Sequence, residues 1–302
     1  MTLTQKTIRR EVGCAGIGLH SGERVNMRLL PAQPGSGIRF RRIDLEGREI
    51  AVSIDNLHQT SFATQLTDGV ASVSTVEHVL SAASGLGIDN LLIELEGPEV
   101  PIMDGSATPF VYLLHEAGLR RQPAARTFMK IVEPLRIDED DKFIAVYPAE
   151  RLKISYTIDF DHPLIGIQRE TFLVTPRAYT EQLAPARTFG FLRDVERMRS
   201  LGLALGGSME NAIVVGENSI LNPQLRFPDE FVRHKILDAI GDLTLLGAPL
   251  LGHVVAYRAG HSLHADLVEK IRDTPEAWEA VTWDDIVYQL AARRPVTAPV
   301  AV

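Results

Sequence analysis

The sequence predicts an α+β fold, and three observations carry that prediction. Short apolar–polar alternations punctuated by glycine fill the first hundred residues. Two longer stretches have helical periodicity, and each holds a histidine beside an acid. After about residue 125 the order of strands followed by helix starts again, without the strict strand–helix alternation of a parallel sheet. At 302 residues the chain has room for about two domains. The expected division is 1–125, 126–285 and a tail over 286–302.

The elements follow in order. Residues 25–29 and 37–40 alternate and read as strands. Residues 72–80 open a helix with Ser72 or Ser74 as its cap, running toward Gly85. A strand is expected over 90–96 and a helix over 110–117, closed by Gly118. Residues 120–125 read as a linker. Beyond it, 128–132, 143–147 and 152–158 read as strands, 229–246 as a long helix, and 252–257 as a strand, with another helix starting at Ser262. The segment 289–302, mostly Ala, Pro, Val and Arg, reads as a mobile tail, and Trp278 and Trp283 are placed to pin the last ordered turn. No residue-level repeat relates the two halves.

Composition narrows the function. The chain is 45% apolar and 23% charged, with 2 Trp, 6 Tyr and 11 Phe to seed cores, which excludes a disordered chain. The net charge of −8 argues against a nucleic-acid binder but allows a local basic patch for an anionic small molecule. Cys14 is the sole cysteine, so any metal site must be built from His, Asp or Glu. The first ten residues are polar and basic and do not read as a secretory signal. The longest uncharged run, 243–257, is too short to span a bilayer. A reducing cytoplasm is the expected compartment. No Walker loop, dinucleotide fingerprint or nucleophile elbow is present, and Leu119 stands where the zincin-like string beginning at His115-Glu116 needs its second histidine.

The nine histidines carry the chemistry. On the long helix, His234, Asp238 and Asp242 stand four residues apart, so at about 3.6 residues per turn they share one face beside an apolar stripe. That stripe suits a zinc ion, but taken alone it is better explained as a solvated face with an ordinary His–Asp pair. Glu77 and His78 are adjacent. On a helix they point about 100° apart, so a metal on His78 leaves Glu77 free to act as a base. Together His78, His234 and Asp238 give three ligands and an open fourth position. His261 and His264 open the last long helix, and Asp242 is a candidate to raise the pKa of His261 so that it serves as an acid. His58, His115 and His253 read as surface or structural, while His20 sits in a glycine-rich loop fit to line a pocket. Phe160, at a strand end, suits stacking on a base or a plain turn. Residues 186–191 set Thr188 between Arg187 and Phe189, and 201–215 are small and apolar, as an alkyl passage or a buried hairpin would be.

Four strings then become recognisable: Ser74-Thr75-Val76-Glu77-His78, Pro101-Ile102-Met103-Asp104-Gly105-Ser106, residues 186–190, and residues 231–242. In order and across about residues 3–285, they resemble the zinc-dependent UDP-3-O-acyl-N-acetylglucosamine deacetylases, the enzymes of the committed step of lipid A synthesis in Gram-negative bacteria. The resemblance implies two layered β-α-α-β domains with their helices packed between the sheets. Each domain carries a small insert, and that of the second, about 192–223, forms an acyl passage. It implies His78, His234 and Asp238 as zinc ligands, Glu77 as general base, His261 as general acid oriented by Asp242, and Thr188 as an oxyanion donor. It places Lys235 beside the substrate's phosphates or sugar, Phe160 at the nucleotide, Phe189 and Phe191 near the sugar and acyl entrance, and Leu19 and His20 along the acyl side.

The implied substrate is an acylated UDP-sugar, with zinc or iron(II) as the metal, since the donor set suits both. The implied protein is a cytoplasmic monomer that meets the membrane only transiently and binds no nucleic acid. Two rivals remain. A zinc amidase for another N-acyl substrate would not need the apolar segment 201–215, and a non-catalytic nucleotide-sugar binder would need neither Glu77 nor His261.

Overall fold

The computed structural model describes residues 3–292. In the first half, β1 (Thr4–Ile8) precedes β2 (Val12–Ile17), β3 (Arg24–Pro31), β4 (Ile38–Arg42) and β5 (Arg48–Ala51). Three short strands, β6 (Leu57–Gln59), β7 (Gln65–Thr67) and β8 (Ser72–Val73), form a small antiparallel sheet ahead of helix α1 (Glu77–Leu86). Strand β9 (Leu91–Glu96) and helix α2 (Thr108–Ala117) follow. The main sheet has the order β2-β3-β9-β4-β5.

The second half repeats that plan. After β10 (Leu119–Ala125) and β11 (Thr127–Ile131) come β12 (Leu135–Glu139), β13 (Lys142–Tyr147), β14 (Lys153–Phe160) and β15 (Gly166–Leu173). A short helix α3 (Pro176–Ala178), strand β16 (Phe189–Phe191), helix α4 (Leu192–Ser200) and strand β17 (Ile213–Val215) lead to the long helix α5 (Glu230–Asp242). The chain closes with β18 (Leu250–Leu251), β19 (His253–Tyr257), α6 (His261–Arg272), β20 (Trp278–Thr282) and α7 (Trp283–Ala292). The main sheet here is β12-β13-β19-β14-β15. In both sheets the last of the five strands sits centrally, antiparallel to the second and parallel to the third. One helix precedes that strand and one follows it. The duplication lies in topology, so residue comparison misses it.

The α+β expectation holds, and several details change. The helix expected from Ser72 or Ser74 starts at Glu77. Ser72 is held in β8, Ser74 Oγ accepts from Gln65 Nε2 at 2.8 Å, and Thr75 takes φ +57°, a left-handed value from which no helix continues. The helix passes through Gly85 to a left-handed cap at Gly87. Residues 120–125 form no linker, because β10 pairs antiparallel with β1. Its Leu-Arg-Arg-Gln-Pro-Ala-Ala sequence lacks alternation, and its pairing comes from a partner more than a hundred residues away. The tail expected from 286 begins inside α7, where Ile286 joins a small core with Phe128, Leu251 and Val281. Residues 293–302 lie outside the described residues. Trp278 anchors the preceding turn through Nε1 to the Ile271 carbonyl at 3.0 Å.

Between the sheets, α1 crosses α5 at very short range. Nearly every residue of both helices is buried. Ser81 Oγ donates to the Leu237 carbonyl at 2.8 Å. A Cβ at Gly241 would stand 2.2 Å from the Glu77 carbonyl oxygen, so only glycine admits this approach. Gly241→Ala is therefore expected to lower the unfolding free energy by about 1–3 kcal/mol, the usual cost of overpacking a core. A urea midpoint equal to that of wild type would show that the helices can part without strain.

Candidate functional site

The crossing places the first turn of α1 against the middle of α5. His78 Nε2 lies 3.8 Å from Asp238 Oδ1, and His234 Nε2 lies 3.2 Å from the same oxygen. The two imidazole rings meet edge to face with centroids 5.0 Å apart. All three side chains are buried, and their ligand atoms lie within 4.8 Å of one another. That burial sets aside the alternative of a solvated helix face.

The donor chemistry fits a divalent cation. Burial, reinforced by His234, drops the His78 pKa to about 3, and burial also lowers that of His234. Both rings are neutral near pH 7 and offer lone pairs. His234 Nδ1 faces the Ala186 carbonyl at 3.0 Å, which requires the proton there and leaves Nε2 free. Burial opposes ionisation of Asp238, but His234 and Lys235 outweigh it and hold the carboxyl far below its ordinary range. Asp238 Oδ2 accepts from Lys235 Nζ at 2.8 Å, while Oδ1 is buried with no hydrogen-bond partner. Two neutral imidazoles around an orphaned carboxylate oxygen form a donor set suited to zinc or iron(II).

Glu77 and His261 flank this cluster. Glu77 Oε2 accepts from the Thr64 N–H at 3.2 Å. Burial, with Asp242 and Asp238 adding to it against His261, raises the Glu77 pKa to about 8. His261 is the first residue of α6. Burial and the positive end of that helix disfavour its imidazolium, yet Asp242 overrides them: Asp242 Oδ2 accepts from His261 Nδ1 at 2.7 Å, and the pKa rises to about 9. The suggested Asp242–His261 contact is thus present. His264 meets the same carboxylate from another side. It is fully buried, with Nδ1 on the same Asp242 oxygen at 2.8 Å and Nε2 3.0 Å from the Tyr156 hydroxyl.

A cleft of about 450 Å³ opens from these groups, lined by Glu77, His78, His234, Lys235, Asp238 and His261 together with Leu19, Phe160, Thr188 and Phe189. Asp242 lies behind His261. His20 is buried outside the cleft lining, and its backbone N–H donates to Glu99 Oε1 at 2.9 Å. Phe191 packs on Phe160 and His162 and does not line the cleft. Lys235 lines it, although its ammonium is engaged by Asp238. The insert does not form a buried hairpin: Leu201, Leu205 and Met209 are exposed. It docks on the Leu19 loop through Leu205 N to His20 O and Gly206 N to Leu19 O, both 3.1 Å.

Sequence reasoning missed Thr64, Glu99 and the rim cations Lys142 and Arg258. Glu99 is a buried carboxylate that accepts from Thr75 Oγ1 at 2.8 Å and from the His20 and Ser21 N–H groups, clamping the strained Thr75 just ahead of Glu77. Its signal in the sequence is faint, an acid in a Gly-Pro-Glu turn.

A neutral two-histidine, one-carboxylate cluster with a buried acid and a protonated histidine beside it defines a metal-dependent hydrolase type of site. Comparison with known proteins agrees. Residues 5–273 match the family described as UDP-3-O-acyl N-acetylglycosamine deacetylase (LpxC). A UDP-3-O-acyl-N-acetylglucosamine deacetylase of Anaeromyxobacter sp. (strain Fw109-5) is 48% identical over 97% of this chain and 96% of its own length. Those of Myxococcus xanthus and Methylococcus capsulatus are 50% and 46% identical, over 92% and 95% of this chain and 89% and 95% of their own lengths. The chain belongs to the UDP-3-O-acyl N-acetylglycosamine deacetylase family.

One divalent cation per chain is expected by elemental analysis. Asp238→Ala and His234→Ala should each weaken it by more than the roughly 10–100-fold that loss of an outer partner costs. Unchanged affinity in either variant, titrated against a chelator, would show that these side chains do not share one ion.

Proposed function

We propose that this chain is a zinc-dependent amide hydrolase. It removes the N-acetyl group from UDP-3-O-(3-hydroxyacyl)-N-acetylglucosamine, giving acetate and the free amine, the committed step of lipid A synthesis. The observation that carries the reading is the convergence of His78, His234 and Asp238 with Glu77 and His261 at one cleft. Iron(II) is the alternative metal for the same donors. Among the described residues no helix is long and apolar enough to cross a membrane. The proposal includes a monomer working in the cytoplasm with only transient membrane contact, and a two-domain division near residue 125 with 192–223 as the acyl-passage insert.

An acetamide is a poor electrophile, so both water and carbonyl need help. His78, His234 and Asp238 would hold a divalent cation, which would supply Lewis acidity to both and whose charge would favour the carboxylate form of Glu77. Glu77 then takes the proton of the attacking water. The Thr188 hydroxyl, on the cleft wall, donates to the developing oxyanion. His261 has Nδ1 tied to Asp242, so its proton leaves from Nε2 to the departing amine. Asp242 stays ionised throughout, because burial's opposition is overcome by the two imidazoles. Lys235 holds Asp238 in its ligating orientation. Phe160, close to Phe189 and Phe191, offers a ring face to the uracil, and Lys142 and Arg258 stand at the rim within reach of a diphosphate, where they are paired with Glu139 and Asp141. Leu19, the His20 loop and the exposed apolar residues of the insert give the acyl chain its side of the cleft.

Acetate release from the acylated UDP-sugar, abolished by chelation, tests the reaction. Glu77→Ala and His261→Ala should each lower kcat by about 10²–10⁴-fold with the cation still bound. Loss of the cation in either variant would overturn the assignment of base and acid. Thr188→Val should cost about 10²–10³-fold.

The pH profile tests the acid separately. The His261 pKa is raised from 6.5 to about 9, so the ring keeps its proton through neutrality and activity should fall only as pH rises through about 9. Asp242→Asn should move that alkaline limb to lower pH. A limb that stays in place would show that another group supplies the proton.

A further inference from the structure

Thr64 touches both sides of the chemistry. It lies between β6 and β7 in the first half and is 1% exposed. Its N–H donates to Glu77 Oε2 at 3.2 Å, and its hydroxyl donates to Asp242 Oδ1, in the second half, at 2.6 Å. The other Asp242 oxygen accepts from His261 Nδ1 at 2.7 Å and His264 Nδ1 at 2.8 Å. Three donors therefore surround one buried carboxylate, and each fixes part of its orientation.

From this we infer that Thr64 is a positioning residue that sets the acid's partner Asp242 and the base Glu77 in one frame across the two halves. The inference rests on the roles assigned above to Glu77 and His261. With Oδ1 tied to Thr64, the carboxylate plane cannot turn about its own bond, and Oδ2 stays aimed at His261. The aim of Oδ2 fixes the imidazole ring, and the ring fixes where Nε2 points. Without the hydroxyl, Oδ1 is left buried and unsatisfied, and the carboxylate is free to turn toward the two imidazoles, which tilts the acid. The backbone N–H to Glu77 survives any side-chain change, so the hydroxyl arm can be tested alone. His264 completes the clamp from behind, and the Tyr156 hydroxyl, which donates to the Ala259 carbonyl at 2.7 Å, backs His264.

Thr64→Val is near in shape and removes only the hydroxyl. In the cation-loaded enzyme it should lower kcat about 10–100-fold, the usual cost of losing an outer partner, with KM and cation content unchanged. Thr64→Ser should restore most of the rate. In a His261→Ala background, Thr64→Val should cost nothing further, because Thr64 acts through the acid. The downfield imidazole N–H proton resonance that His261→Ala abolishes should also shift in Thr64→Val. Wild-type kcat in Thr64→Val, a full additional loss in the His261→Ala background, or an unshifted resonance would each overturn the inference. If wild type fails to deacetylate, the proposed reaction falls, while the resonance still decides whether Thr64 holds Asp242.

Discussion

Everything in the site depends on the contact between α1 and α5. Each helix alone carries an incomplete set: α1 brings Glu77 and His78, α5 brings His234, Asp238 and Asp242. The set closes because the backbone of Gly241 meets the backbone of Glu77 with no side chain between them. The same device recurs near the other end of α1, where a Cβ at Gly85 would stand 2.3 Å from the Tyr179 ring. One glycine thus sets how near α5 comes to α1, and the other seats α1 on the segment that leads toward Thr188. The first of these separations sets the distance from His78 to Asp238. Helix propensity works against both positions by roughly 1 kcal/mol each, so packing decides them.

Such a crossing buries many ionisable groups, and the cost of each is met locally. Asp242 has Thr64, His261 and His264. Asp238 has Lys235 on one oxygen and faces two imidazole nitrogens with the other. Burial raises the Glu77 pKa against the backbone donors it has, whereas the multiply partnered Asp238 and Asp242 are held low. Three carboxylates within one cluster are therefore driven apart in proton affinity by what surrounds them. His78 and His261 are separated in the same way: one is driven neutral by burial beside a second imidazole, the other is kept protonated by a carboxylate. A ligand needs the first state and an acid the second.

Two of the three candidate ligands, His234 and Asp238, are legible in the sequence because they sit at helical spacing, which survives without knowledge of the fold. Glu77 is legible because it adjoins His78 on a helix, and His261 because it follows a strand and a glycine at the mouth of another. Thr64 and Glu99 stay hidden because their partners are far away along the chain. Thr64 meets Asp242 across 178 positions, and nothing in the string around it marks that contact. Ser72 and Ser74 have the chemistry of caps and so suggest an early start for α1, but the strand pairing of β8 and the turn at Thr75 override that preference. The residues of β10 do not alternate and so suggest a linker, while β1 imposes their strand structure. Motif position alone puts His20 and Phe191 near the cleft; His20 is buried, and Phe191 packs on Phe160, which lines it. A motif fixes where a residue lies along the backbone more firmly than it fixes where the side chain goes.

The duplicated topology explains how one site came to use such different parts. Both halves present a helix ahead of their central strand, and those two helices meet face to face. In the first half the helix brings its N-terminal turn to the site, where a positive helix end favours the carboxylate of Glu77 and disfavours a charged His78. In the second half the helix offers its middle and C-terminal turns, which places Asp238 and Asp242 about one turn apart. The helix after the second central strand then begins at His261, against Asp242. His261 consequently sits where its own helix opposes its charge, and Asp242, with Glu77 adding to it, holds that charge. Any weakening of Asp242 acts on His261 directly, because burial and the helix end both pull the imidazole toward the neutral form. A first-half residue in contact with Asp242 therefore bears on the charge of His261 in the second half, and the hydroxyl of Thr64 is in that position.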